Sequence, residues 1–252
     1  MESRGAPIFG QTRSNVLVFG HRGAKALWPE NTMPSFRRAL ALGVDGLETD
    51  VRRTKDGELV LLHDERVDRT TDGHGPAGSF TFAEMRRLNA AVGRGGPAEQ
   101  IPSLAEFAEW AAGTKLYLNV EFKDYSRDTV DRTVRMLSDA GLLPRCVFTC
   151  FSAEVTGYVC GTCGLPTQGF PADMEKEPYE GMERDWYAVG IPMDRLTREA
   201  SDAYLEQGID PWCWCPDTDD AVRQAAAAGA TLCTCNDPRP ALALLRAMGL
   251  RR

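Results

Sequence analysis

The chain has 252 residues, the length of one large α/β domain, and its 43% hydrophobic and 26% charged residues exclude a disordered or fibrous class. A net charge of −7 argues against a nucleic-acid groove and against docking on an anionic membrane surface. The apolar runs fall far short of the roughly 18 residues that cross a bilayer. The opening MESRGAPIFGQTRSN is polar and has no signal-peptide core, so a cytoplasmic protein with no membrane anchor is expected.

In chain order, an apolar strand over residues 16–20 runs into His21-Arg22-Gly23. Pro29-Glu30-Asn31-Thr32 then opens a helix over 33–41, with Thr32 as its cap and Glu30 and Asn31 within reach of a site. The next strand, 46–51, carries Glu48 and Asp50 on one face and turns Thr49 to the other. A strand over 59–63 ends in His63-Asp64, and the connection between the two is too short for a helical crossover. Asp56-Gly57 signals a two-residue hairpin loop, which would pair Lys55 with Glu58 and set Asp50 opposite His63.

After His74, expected in a solvated glycine-rich turn, helices are predicted over 104–112, 127–140, 198–207, 217–228 and 240–247. Between them lie strands at 116–122, 146–151, 187–191, 210–214 and 231–235, with a weaker one near 166–169. Gly43, Gly141, Gly208 and Gly229 stand where helix C-terminal caps belong. Short strands alternating with helices define an α/β fold with a mainly parallel sheet, and their number fits a closed barrel better than an open sheet. His21, Glu48, Asp50, His63 and Glu121 all fall at or just past strand C-termini, the end that carries the active site in such a barrel.

All eight cysteines lie in the second half, several within apolar runs such as VFTCF and TLCTC. Their spacing matches no compact zinc module, so they read as small buried hydrophobes kept reduced in the cytosol.

Chemistry concentrates in the first half. Glu48, Asp50 and Glu121 form an oxygen-only ligand set suited to one hard divalent cation, Mg²⁺ or Ca²⁺ with Mn²⁺ also admissible. His21 and His63 are the acid and base, because imidazole titrates near neutrality. Arg22 and Lys123 are phosphate ligands, and Lys123 shares a strand face with Asn119 and Glu121. Trp212 and Trp214 alternate on one strand face. Trp214 is the candidate to stack on a substrate, with core packing the other use.

At these residues the chain resembles the glycerophosphodiester phosphodiesterases. HRG at 21–23, PENT at 29–32, ExDV at 48–51, TKDG at 54–57, VxxHD at 60–64, RTTDG at 69–73, IPSLAEF at 101–107 and NVEFK at 119–123 follow that family's order and spacing. Beyond Lys123 the likeness thins. Trp214-Cys215-Pro216-Asp217 stands where the family has W-T-x-N, and Cys235-Asn236-Asp237-Pro238 where it has T-D-x-P.

The resemblance implies a single (β/α)8 TIM barrel over 1–252 with a small insertion at about 65–112 near its mouth. It implies metal-dependent hydrolysis of a small-molecule glycerophosphodiester to sn-glycerol 3-phosphate and an alcohol, with His21 and His63 as acid and base. It further implies that Glu48, Asp50 and Glu121 hold the cation and that Arg22 and Lys123 bind phosphate. Attack by the neighbouring glycerol hydroxyl through a cyclic phosphate would explain why glycerol is the required half. The competing functions are a lysophospholipase D acting on lysophospholipids and a catalytically silent phosphodiester-binding barrel. The leaving alcohol, the native cation, the oligomeric state and the division of roles between the histidines stay open.

Overall fold

Nine strands form one sheet among the residues described by the computed structural model, 9–12 and 14–251. They are β1 (Leu17–His21), β2 (Gly46–Arg53), β3 (Leu59–Leu61), β4 (Tyr117–Phe122), β5 (Cys146–Thr149), β6 (Thr167–Gly169), β7 (Ala188–Pro192), β8 (Asp210–Trp214) and β9 (Leu232–Cys235). Every strand but β3 pairs in parallel, and β1 bonds both β9 and β2, which closes an eight-stranded barrel. Around it run α1 (Met33–Leu42), α2 (Phe82–Met85), α3 (Leu104–Ala112), α4 (Arg127–Asp139), α5 (Ala153–Gly161), α6 (Arg198–Glu206), α7 (Asp219–Ala228) and α8 (Pro238–Ala247). This is the (β/α)8 TIM barrel expected from the sequence. The leader-free reading of the N-terminus falls largely on residues 1–8, outside the described residues.

Strand β3 is a short antiparallel addition to β2, and its register differs from expectation by one residue. Val51 pairs with Leu61 and Arg53 with Leu59, so the Asp50 carbonyl accepts the Leu62 N–H and His63 lies beyond the ladder. The cause is the turn. Lys55-Asp56-Gly57 forms a three-residue loop in which Thr54 and Glu58 pair, the Thr54 hydroxyl bonds Asp56 and Glu58, and Gly57 sits at φ +85°. That left-handed residue makes the bulged hairpin rather than the two-residue one.

Helix α5 was not anticipated. Its sequence AEVTGYVCG holds two glycines and three β-branched residues, and burial of Val155, Thr156 and Val159 overrides that weak propensity. Conversely, α3 packs into the main core through Leu104, Phe107 and Ala111, so the self-contained part of the insertion ends earlier than residue 112. That part has its own apolar cluster of Val60, Leu62, Val67, Ala77, Met85, Ala90 and Ile101.

The barrel interior below the strand C-termini is filled. Phe9 stacks on Trp212 and Tyr117 and touches Phe19, with Val147, Ala188 and Leu232 around them. Gln11 fastens this segment by donating to the Tyr187 hydroxyl and to Asp210, each at 2.6 Å. Among the described residues, no helix is long and apolar enough to cross a membrane.

Candidate active site

Parallel register sets His21 beside Glu48, Glu48 beside Asn119, and Asp50 beside Glu121. Alternation turns the three acids to the same interior face, where one oxygen of each lies within 4.8 Å of the others. All three are buried, and neither Glu48 Oε1 nor Asp50 Oδ1 accepts a hydrogen bond. Carboxylate oxygens out of water that accept no hydrogen bond are costly, and a hard divalent cation is what such a set fits. The electrostatics agree. Burial, with Asp50 adding, pushes Glu48 well above the usual carboxylate range, and burial lifts Glu121 to about 7 although Lys123 opposes it. Asp50 alone is lowered: burial works against its charge, but Arg22 and Lys123 outweigh it.

Two turns wrap this trio. The Arg22 backbone N–H donates to Glu48 Oε2 at 3.0 Å, and its guanidinium reaches Glu30 at 2.8 Å and Asp50 at 3.2 Å. Asn31 donates to Asp50 at 2.8 Å and accepts from Thr49 at 2.9 Å. Arg22 and Asn31 take φ of +53° and +54°, a left-handed conformation that costs roughly 1–3 kcal/mol in a non-glycine residue and clusters at functional sites. Gly23 follows at φ +87°, where a Cβ would meet Ser35 Oγ at 2.3 Å; the turn and the start of α1 fit together only without a side chain.

The two histidines are held differently. His21 Nε2 lies 3.6 Å from Glu48 Oε2, while its Nδ1 meets the Asn236 amide oxygen at 2.7 Å. Burial, with Arg22 and Lys25 adding, pushes its pKa down to about 3, so the ring is neutral. His63 Nδ1 meets the Asp64 carboxylate at 2.6 Å. Burial lowers its pKa too, with Asp50 opposing.

Arg69, from the insertion, grips Asp64 at 2.6 and 3.0 Å and Glu30 at 2.7 and 2.8 Å. It thereby ties the support of His63 to that of Arg22. Against the cost of burial, its hydrogen bonds and the Arg22 charge hold Glu30 at about 2. Arg52 donates to the backbone oxygens of His63 and Lys123, which fixes the chain just past β3 and β4.

His21, Arg22, Glu48, His63, Glu121, Lys123 and Trp214 line one cavity of about 150 Å³ at the barrel mouth. Lys123 is not a surface residue: it pairs with Glu121 and Asp50, and although burial opposes its charge these acids raise its pKa. Trp214 forms wall at the mouth, and its indole N–H has no hydrogen-bond partner. Trp212, on the same strand face, belongs to the floor. His74 is solvated, its side chain 83% exposed. Five of the eight cysteines are buried as expected, but Cys215 is half-exposed with its sulfur 3.3 Å from His21 Nδ1.

The glycerophosphoryl diester phosphodiesterase family model matches residues 21–146, half of the chain and the part that holds the acids and both histidines. The chain belongs to this family. A curated glycerophosphodiester phosphodiesterase of Caldanaerobacter subterraneus subsp. tengcongensis is 46% identical over 110 residues, 43% of this chain and 45% of that protein. The match therefore spans a little under half the length of that relative. A solved structure from Silicibacter pomeroyi superposes with a TM-score of 0.86 over 94% of this chain and 95% of its own, at 23% identity. A phosphodiesterase from Oleispira antarctica, solved with the product sn-glycerol-3-phosphate, superposes at 0.83 over 91% of this chain and 96% of its own, at 22% identity. At such identities the likeness establishes the barrel, which is shared over more than nine-tenths of this chain.

Proposed function

We propose that this family member hydrolyses glycerophosphodiesters to sn-glycerol 3-phosphate and an alcohol, using a divalent cation and the two histidines. The observation that carries this is the buried trio Glu48, Asp50 and Glu121, in which Glu48 Oε1 and Asp50 Oδ1 accept no hydrogen bond, flanked by two imidazoles at one cavity. Product bound to the Oleispira antarctica neighbour supports the substrate class. A bound Mg²⁺ or Ca²⁺ would polarise the phosphoryl group and offset the charge that develops on its oxygens.

Arg22 and Lys123 line the cavity as fixed cations and orient the phosphate there. His21 is the base. Its ring is neutral and presents Nε2 towards the acids, so it takes the proton of the glycerol 2-hydroxyl as that oxygen attacks phosphorus. His63, whose Nδ1 is held by a carboxylate that favours imidazolium, protonates the departing alcohol oxygen at Nε2. Water then opens the cyclic phosphate with the two roles reversed, which returns both rings to their starting states. Trp214 flanks the mouth against the non-reacting part of the substrate. Eight free thiols suit a reducing compartment, in keeping with a cytoplasmic enzyme.

The test is release of glycerol 3-phosphate from glycerophosphocholine by purified protein in Mg²⁺ or Ca²⁺, run beside an EDTA-treated sample and with lysophosphatidylcholine as a second substrate. Metal-dependent release from the deacylated diester is the expected result. Release from the lysolipid alone would transfer the site to a lysophospholipase D. Release from neither, with cation bound, would leave a phosphodiester-binding barrel.

A further inference from the structure

Two residues from the far side of the barrel reach His21 without touching the acid trio. Asp217 follows β8 and Asn236 follows β9; both are half-buried. The Asp217 carboxylate is fixed on three N–H groups. Its Oδ1 accepts the backbone N–H of Asn236 at 2.7 Å and of Asp237 at 3.0 Å, and its Oδ2 accepts the Asn236 side-chain nitrogen at 2.6 Å.

Both Asp217 oxygens act as acceptors, so the amide nitrogen of Asn236 must face Asp217. The amide oxygen is thereby turned to His21 Nδ1, 2.7 Å away. An amide oxygen also only accepts, so Nδ1 must carry the proton, and in the neutral ring this leaves the lone pair on Nε2, on the side of Glu48. Cys215 Sγ, at 3.3 Å from the same nitrogen, is the longer contact and serves as a weak secondary acceptor.

We propose that Asp217 is a positioning residue which, through the Asn236 amide, locks His21 in the Nδ1-protonated tautomer required of a base at Nε2. The proposal rests on the phosphodiesterase activity proposed above and adds to it the device that selects the tautomer. The two histidines differ in this: His63 meets its carboxylate directly, whereas His21 meets one only through an intervening amide.

Ring ¹⁵N NMR of the native, metal-loaded protein reads the tautomer without any turnover. A neutral His21 protonated at Nδ1 is expected, and one protonated at Nε2 overturns the proposal even in a fully active enzyme. An inactive protein with Nδ1 protonated would overturn the activity and support the tautomer lock.

The variants give a second readout. Asn236→Asp would face two carboxylates, and Asp217→Asn would free the Asn236 amide to flip. Each should lower kcat by about 10–100-fold, the range for outer partners that orient a functional histidine, with KM little changed. The double variant carrying both substitutions rebuilds one amide–carboxylate pair and again offers His21 Nδ1 an acceptor. Its kcat should recover to within about fivefold of native, a strong non-additivity. Losses that simply multiply in the double variant, or single variants as active as native, would overturn the proposal. Equal thermal midpoints separate this from a folding defect.

Discussion

The arc of β1, β2 and β4 and the arc of β5 to β9 wall the same cavity with opposite materials. The first supplies His21, Glu48, Asp50 and Glu121, with Arg22 just beyond β1, Lys123 just beyond β4 and His63 past the attached β3. The second offers Thr149, Gln168, Gly190, Trp212 and Trp214, neutral groups that shape space, backed by buried thiols such as Cys213 and Cys233. Proton transfer and cation binding need groups fixed within a few ångströms, and adjacent parallel strands give that spacing directly. Substrate fit tolerates more variation. The family match ends at residue 146, where the charged arc gives way to the neutral one.

Substitutions should separate the arcs. The largest effect belongs to His63→Ala, which should lower kcat by about 10²–10⁴-fold in the glycerol 3-phosphate release assay, with an unchanged melting curve. Phe9→Ala, on the floor, should do the reverse. Loss of a fully buried phenylalanine costs about 3–5 kcal/mol, read by denaturant unfolding, while kcat of the folded protein holds. Comparable kcat losses from both would erase the distinction.

Arg69→Ala sharpens the comparison within the charged arc, since this residue orients His63 and Arg22 without lining the cavity. A kcat loss of about 10–100-fold is expected from steady-state kinetics, with Arg69→Lys recovering only part of it because lysine cannot fork between two carboxylates.

The acid trio also makes a pH prediction. Glu121 has a folded-state pKa of about 7 against an ordinary 4.5, so its protonated form favours folding. In EDTA, that contribution is present below about 4.5 and is lost as pH rises through about 7, whereas the lowered His21 and His63 act in the opposite sense, so it is the melting temperature of the native protein relative to Glu121→Gln that should fall across this window. Cation should flatten the fall, because it binds the ionised form and stabilises the folded state by mass action. A difference between native protein and Glu121→Gln that grows from pH 4.5 to 7 in EDTA would contradict the crowded-carboxylate site. Trp214→Ala, in the neutral arc, should have the smallest effect: KM raised about three- to tenfold for roughly 1 kcal/mol of aromatic contact, with kcat retained.

The charged arc was legible in the sequence because its residues sit in short contiguous phrases at strand ends. HRG, ExD and HD each place chemistry within three residues of a strand, so local alternation sufficed to aim them. The hairpin register was not legible. Asp56-Gly57 suits a two-residue loop, and only the hydrogen bonds of Thr54 reveal the third loop residue. Helix α5 was hidden by glycines and β-branched residues that tertiary burial overrides.

Arg52 and Arg69 were missed because a supporting arginine looks like any surface arginine until its acceptors are known. The signal for Asp217 and Asn236 was present but went unused. In the resemblance they fall on the Asn of W-T-x-N and the Asp of T-D-x-P, so the two residue types are exchanged here, in keeping with the contact their hydrogen bond makes.

The Phe9 plug gives the barrel a closed base, a cup where an open-ended tube would leave two entrances. The substrate, cation, water and products of the proposed reaction would therefore share one doorway. On the proposed activity, a released alcohol would have to clear the mouth before the next diester could seat itself, and glycerol 3-phosphate left behind would compete with the incoming substrate for Arg22 and Lys123.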